Sequence, residues 1–522
     1  MSILNPSLVG VIVATLFSIS ITAQGDQPTG VEPESLANVR FVTSCHHAVQ
    51  DQFNSAVSAL HSFWFSEAIK VFDSVLKADP QCAMAYWGLG MSYSGYRRQS
   101  SAMRAGLAAI EKAETLLNAS QTQRERDYIA AVALLFKDFE HVDQRTRTLA
   151  YEKAMQQIVN RNPFDREAAI FYALALIQTV LPTDKTFANR LRAGAILEEQ
   201  FKSQPNHPGI AHYIIHSYDV PELADRALVA ARTYTKIAPS VPHALHMPSH
   251  TFTRLGYWEE SIAANTVSAA AARTTDLPDE WLHAIDYLVY AYLQTGQVRS
   301  AKRLVDEVES TIRGRTQRWA NVFAIAAIPA RFALERHAWS EATTLEPYPS
   351  DLPYTKAMTH FARALGFART GHPSAARAET ERITALRDHL VDTKNFYWAE
   401  QVEIQRLAAT AWTAWAEGEH NKALTLLRSA ANREETTEKS AITPGPLMPA
   451  RELLGEMLIE LNQPQQALNE YEATLEREPR RFWSVYGSAK TAELLGDLEK
   501  ATQYYEQLLE ICKKADHPGR CM

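Results

Sequence analysis

Small and apolar residues recur three and four positions apart through most of this chain, in segments of helical length that polar turns join in pairs. In AVQDQFNSAVSALHSFWFSEAIKVFDSVLKADP this pattern predicts two helices, the second closed by Asp79-Pro80. Further helix pairs are predicted at 82–118, 121–160, 166–203, 207–237, 241–273, 279–313, 319–345, 354–389 and 396–432. Alternation of strand period nowhere reaches useful length. The expected fold class is therefore all-α.

The pairs repeat. Ala68, Phe72 and Pro80 have the same spacing as Ala467, Tyr471 and Pro479, and Ala193 stands from Pro205 as Ala227 does from Pro239. In the middle of the chain PNHPGIAHYIIHSYDV overlies PSVPHALHMPSHTFTR at a shift of 34 residues, which sets Pro208 on Pro242, His212 on His246 and His216 on His250. A period of that size is a helix-turn-helix unit that cannot bury its apolar face without its neighbours. With 522 residues the chain exceeds one compact core, and a repeat array resolves that difficulty without several domains.

Composition changes this picture little. Hydrophobic residues at 46% and charged residues at 22% are ordinary for a globular chain, and a net charge of -7 without a basic stripe excludes a nucleic-acid partner. The ends say more. Leu8–Ala23 is apolar and uncharged but too short to span a bilayer, which predicts a signal peptide over 1–23 and a disordered leader over 24–38. The segment before it, MSILNPS, lacks Lys and Arg, so an uncleaved anchor is the alternative and the one route to a membrane. The expected location is periplasmic or extracellular. Four cysteines in an exported chain allow three pairings, of which Cys45 with Cys82 and Cys512 with Cys521 is favoured over free thiols. The main array is expected over 39–433, a Pro/Gly-rich linker over 434–449, a final helical block over 450–514 and a tail over 515–522.

Histidine is built into the repeat. Residues three and four apart share a helix face, so His212, His216 and Asp219 align, as do His243, His246 and His250 one repeat later, and His283, Asp286 and Tyr290 one repeat after that. Two imidazoles from each of two adjacent helices can reach one ion. The expected ligands are His212, His216, His246 and His250, with His243 and His283 as substitutes or a second site. Imidazole nitrogen suits a transition metal such as zinc, copper or iron. Asp219 and Asp286 are expected as ligands or as acceptors that fix the histidine tautomers. Arg254 and Tyr290 are the candidates for orienting a substrate, a small molecule or peptide held in the groove. A groove that binds a polar peptide through these side chains, with no metal, is the competing reading. His61, beside Phe63, Trp64 and Phe65, reads as packing at a helix end, and His360, Trp398, Glu400 and Glu403 as more distant candidates for the same interior. No GxxxxGK[ST], GxSxG or HExxH occurs, which removes nucleotide, serine-hydrolase and common zinc-protease chemistry from consideration.

The repeat spacing, with the strings CAMAYWGLGMSY, RERDYIAAVALL, AHYIIHSYDVP, HALHMPSHTFTRLGYW and AMTHFARALG, resembles a family of exported bacterial tetratricopeptide-repeat proteins over roughly 41–512. The resemblance implies a right-handed solenoid of antiparallel helix pairs whose first helices line a concave surface, with the histidine column facing it. It implies no activity, and a non-catalytic scaffold for protein partners in the cell envelope is the alternative to the metal reading.

Overall fold

The structure is a computed structural model that describes residues 39–96, 99–312 and 319–517. The expected signal peptide and leader, 1–23 and 24–38, lie outside the described residues. What is described is helical throughout, with no strand, and none of its helices is long and apolar enough to cross a membrane.

Twelve helix pairs follow one another among the described residues, from Gln50–His61 with Phe65–Ala78 to Phe482–Leu494 with Leu498–Ile511. That count takes Pro242–His246 and Pro248–Arg254 as one interrupted helix. The starts follow from the sequence. Thr122 and Glu125 form a reciprocal capping box, the Asp143 and Asp165 side chains accept from the first turns of their helices, and Pro opens the helices at 208, 242, 248, 278, 353, 373 and 464. The turn inside each pair often needs a left-handed residue, and Gly256, Gly296, Gly371, Gly418 and Gly496 supply it. In the first pair the residue in that conformation is Phe63, at φ 55°. A side chain there costs about 1–2 kcal/mol.

Each helix packs on the next, and the small residues picked out by the repeat spacing lie where they meet. Ala68, Phe72 and Ala467 are fully buried and Tyr471 nearly so.

Two sequence expectations need correction. The stretch 434–449 is no linker: its Glu438 meets Lys185, Arg254 and Arg477, Tyr287 donates to the Thr443 carbonyl (3.1 Å), and Arg331 donates to the carbonyls of Gly445 (3.3 Å) and Pro446 (3.0 Å). It is a strap threaded through the interior, held by backbone carbonyls that a Pro/Gly-rich sequence leaves unused. Nor is the final block separate. Trp258 donates to the Arg480 carbonyl (2.9 Å), Gln294 accepts from the Phe482 N–H (2.9 Å), and Arg481 is fully buried with Glu452 (2.8 Å) and Glu335 (2.9 Å). Cys45 and Cys82 are disulfide-bonded. Cys512 is not a free thiol, and Cys521 lies outside the described residues.

A candidate metal centre in the histidine repeats

The histidine column is carried by the helices Pro208–Ser217, Pro242–His246, Pro248–Arg254 and Pro278–Gln294. Pro248 interrupts the second of these because it offers no N–H to the preceding turn, while Met247 stays helical (φ -51°, ψ -38°). His246 and His250 therefore remain on one face across the break.

The six histidines are together, but not as one four-histidine site. His212 and His216 group with His243, and His246 and His250 with His283, the ligating atoms of each set lying within 4.8 Å of one another. Each HxxxH pair is thus completed by a histidine from the following repeat. His243 and His283 stand at the same interval before Gly256 and Gly296, so the two sites are one arrangement used twice. At the corresponding place one repeat earlier, Gly209 leaves room that His61 occupies: a Cβ on Gly209 would lie 2.5 Å from His61 Nδ1.

The hydrogen bonds decide which nitrogens are free. His250 Nδ1 faces Asp219 Oδ2 at 3.0 Å and His246 Nδ1 faces Asn265 Oδ1 at 2.6 Å. The Asn265 amide is oriented by its own Nδ2 donating to the Ser261 carbonyl at 2.8 Å, so the atom facing His246 is an acceptor. Both imidazoles must donate from Nδ1. Burial first, then the neighbouring histidines, push the His246 pKa well below its ordinary value, and burial outweighs Asp219 to lower that of His250. A neutral ring has one N–H, so both Nε2 atoms carry lone pairs, and they lie 3.1 Å apart. Two lone pairs at that distance repel unless a cation lies between them. Two nitrogens on one tetrahedral zinc, each at 2.0–2.1 Å, are about 3.3 Å apart.

The first site obeys the same logic. His212 Nδ1 donates to the His61 carbonyl (2.7 Å) and His243 Nδ1 to Glu280 Oε2 (3.3 Å). The Nε2 atoms of His212, His216 and His243 are buried without a hydrogen-bond partner among the described residues. Burial and the adjacent imidazoles push His212, His216 and His283 well below their ordinary pKa, which keeps them in the neutral form a metal requires. Ring centroids of His216 and His250 (6.0 Å), and of His243 and His246 (6.3 Å), connect one site to the other.

The expected acceptors Asp219 and Asp286 and the expected substrate-orienting residues Arg254 and Tyr290 are placed less uniformly. Asp219 lies beyond the end of its helix at Ser217, and reaches the second site by turning toward His250 from the next loop. Burial opposes its ionisation, but Lys439, Arg254 and His250 hold its carboxyl well below the usual range. Arg254 donates to it (2.9 Å) and to its carbonyl (3.1 Å), so Arg254 positions Asp219. Asp286 and Tyr290 do not join either histidine group. Asp286 accepts from Arg331 (3.3 Å), and Tyr290 donates to Glu478 (3.1 Å) and accepts from Arg481 (2.9 Å). The tyrosine that does face the second site is Tyr287, its hydroxyl 3.4 Å from His250 Nδ1 and its ring 4.7 Å from that of His246. Its i,i+4 spacing from His283 was the available signal. Phe63 was another: its strained turn sets the ring 4.4 Å from His212 and 5.6 Å from His243.

His61 is more than packing. It and His207 donate to the two oxygens of buried Glu167 (3.0 and 2.9 Å), with His61 Nδ1 on the Tyr213 hydroxyl (3.0 Å). Burial disfavours the Glu167 charge, but His207 and His61 outweigh it. Both Nε2 atoms are spent on Glu167, and the cluster buttresses His212 through the His61 carbonyl. His360 is spent on Glu379 (2.6 Å), Glu400 on Arg433 (2.8 Å) and Glu403 on Arg406 (2.7 Å), which removes them from the candidate interior.

With the site described, comparison with known proteins adds the family context. The tetratricopeptide repeat family model matches residues 65–116, from the second helix of the first pair through the second pair, and 453–516, the last two pairs. The fold is a tetratricopeptide-type helical repeat. Similar solved structures include a monomeric IFIT1 variant with m7Gppp-AAAA (TM-score 0.34, 11% identity, 81% of this chain and 89% of that one). They also include the human IFIT1 dimer with PPP-AAAA (0.37, 12%, 88% and 89%). A third is the APC/C hetero-tetramer Cut9-Hcn1 (0.32, 12%, 90% and 95%). No curated protein matches the sequence. The histidine repeats lie outside both matched stretches.

Proposed function

We propose that this tetratricopeptide-type array is a transition-metal protein with two three-histidine sites, each able to hold zinc, copper or iron. The observation that carries the reading is the pair of Nε2 lone pairs of His246 and His250 at 3.1 Å, each ring fixed from behind by an oxygen acceptor. Three protein ligands leave a coordination position for water or a small molecule, as in metal-assisted hydrolysis, and a redox metal in the same set supports oxidative chemistry. Action on a small molecule or peptide belongs to this reading. Export fits it, since the Cys45–Cys82 disulfide persists in oxidising compartments.

Elemental mass spectrometry on untagged protein tests it. We expect two equivalents of metal in the wild type and one in each of the double variants His246→Ala/His250→Ala and His212→Ala/His216→Ala. A wild-type chain that stays empty after incubation with zinc, copper and iron sinks the proposal. The second reading, a scaffold for protein partners, rests on the repeat type itself. It predicts partner binding that survives a chelator.

A further inference from the structure

The two sites differ in what lies beside them. Next to the second is a small space of about 100 Å³, lined by Arg254, Lys439, Glu434, Glu438 and Glu478, in which Arg254 already pairs with Glu438 and Lys439 with Asp219. Next to the first is a larger cavity, about 300 Å³. Phe63, Phe65, Met91, Leu174 and Ile177 line it, and so does His216. Histidine is the residue at which this cavity meets the candidate metal, and its Nε2 is buried without a partner among the described residues.

Resting on the metal reading above, we infer that the first site takes a small molecule with an apolar, ring-sized body and a single nitrogen, sulfur or oxygen donor. The donor fills the coordination position left by His212, His216 and His243 while the body fills the cavity. Volume and lining are those of a small-ligand pocket: mostly apolar, with a few polar side chains, Ser94, Gln178, Tyr213 and His216, among them. A polar or peptide ligand would leave its hydrogen-bonding groups unpaired against Phe65, Leu174 and Ile177. Phe63 belongs to both parts, since its ring packs on His212 and also walls the cavity. That double contact gives its strained backbone a purpose.

The experiment uses full-length His246→Ala/His250→Ala protein, so that the first site alone is loaded, with Co(II) as a visible probe. Imidazole and 4-phenylimidazole are titrated against its absorption bands. Both offer the same donor, and only the second carries a body for the cavity. We expect 4-phenylimidazole to bind roughly tenfold tighter or more, from the apolar area its ring buries. In a further Ile177→Trp variant, which fills the cavity from its rim, Co(II) should bind as before and the preference should vanish. Equal affinities, or a preference that persists in Ile177→Trp, overturn the inference and leave the metal site standing. Absence of Co(II) bands in the wild-type chain overturns both.

Discussion

At the scale of single residues, the second site depends on acceptors as well as on ligands. Asn265 and Asp219 do not reach the shared point between the imidazoles, yet they determine which nitrogen of each ring is free. Asn265→Ala should therefore weaken the second metal about 10- to 100-fold and leave the first unchanged, measurable by competition with a chromogenic chelator. A different residue governs pH dependence. Burial pushes the Glu434 carboxyl from 4.5 up to about 8, although the Ala450 N–H donates to it at 2.7 Å. Between those values the folded chain holds a proton that the unfolded chain has released, so stability falls as pH rises, by up to about 1.4 kcal/mol per unit. Glu434→Gln keeps the acceptor and removes the titration. We expect the variant to be the more stable at pH 7.5, with the difference in denaturant midpoint closing toward pH 5. The histidines were legible in the sequence because i,i+4 spacing needs only a helix. Asp219 was legible for the wrong reason, since helical periodicity stops at Ser217 and the side chain arrives by a loop turn. Tyr290 and Asp286 were misassigned because periodicity gives a face and not its neighbours, which here are Arg331 from the next repeat and Arg481 from the last.

At the scale of the element, the helix pairs followed closely from periodicity, proline starts and turn glycines, all local signals that the structure repeats twelve times among the described residues. How the pairs share a site was not local. The shift of 34 residues suggested that equivalent histidines meet equivalent histidines across two helices. The structure instead displaces the contact by one position, so that His243 and His283, which looked supplementary, each complete a triad begun in the preceding repeat. The offset arises because a helix meets its successor's first turns and not the matching height of its own copy. Phe63 follows the same rule at the array's start, where a left-handed aromatic stands in a turn that five later repeats give to glycine.

At the scale of the whole array, the C-terminal block and the 434–449 strap close on the histidine repeats through contacts separated by some two hundred residues, which no local pattern announces. The tightest is at Gly256, φ 68°, where an added Cβ would lie 2.2 Å from the Pro479 carbonyl oxygen. Gly256→Ala should cost roughly 2 kcal/mol or more, from backbone strain and lost docking, seen as a lower thermal midpoint and earlier proteolysis near 479–481. Sharing each triad between consecutive repeats has a temporal corollary. During synthesis the chain emerges from its N-terminus, so His212 and His216 wait for His243, and His246 and His250 for His283. On the metal reading, an ion captured at either place would record that two neighbouring units have both finished folding, and the first could be captured before the second site exists.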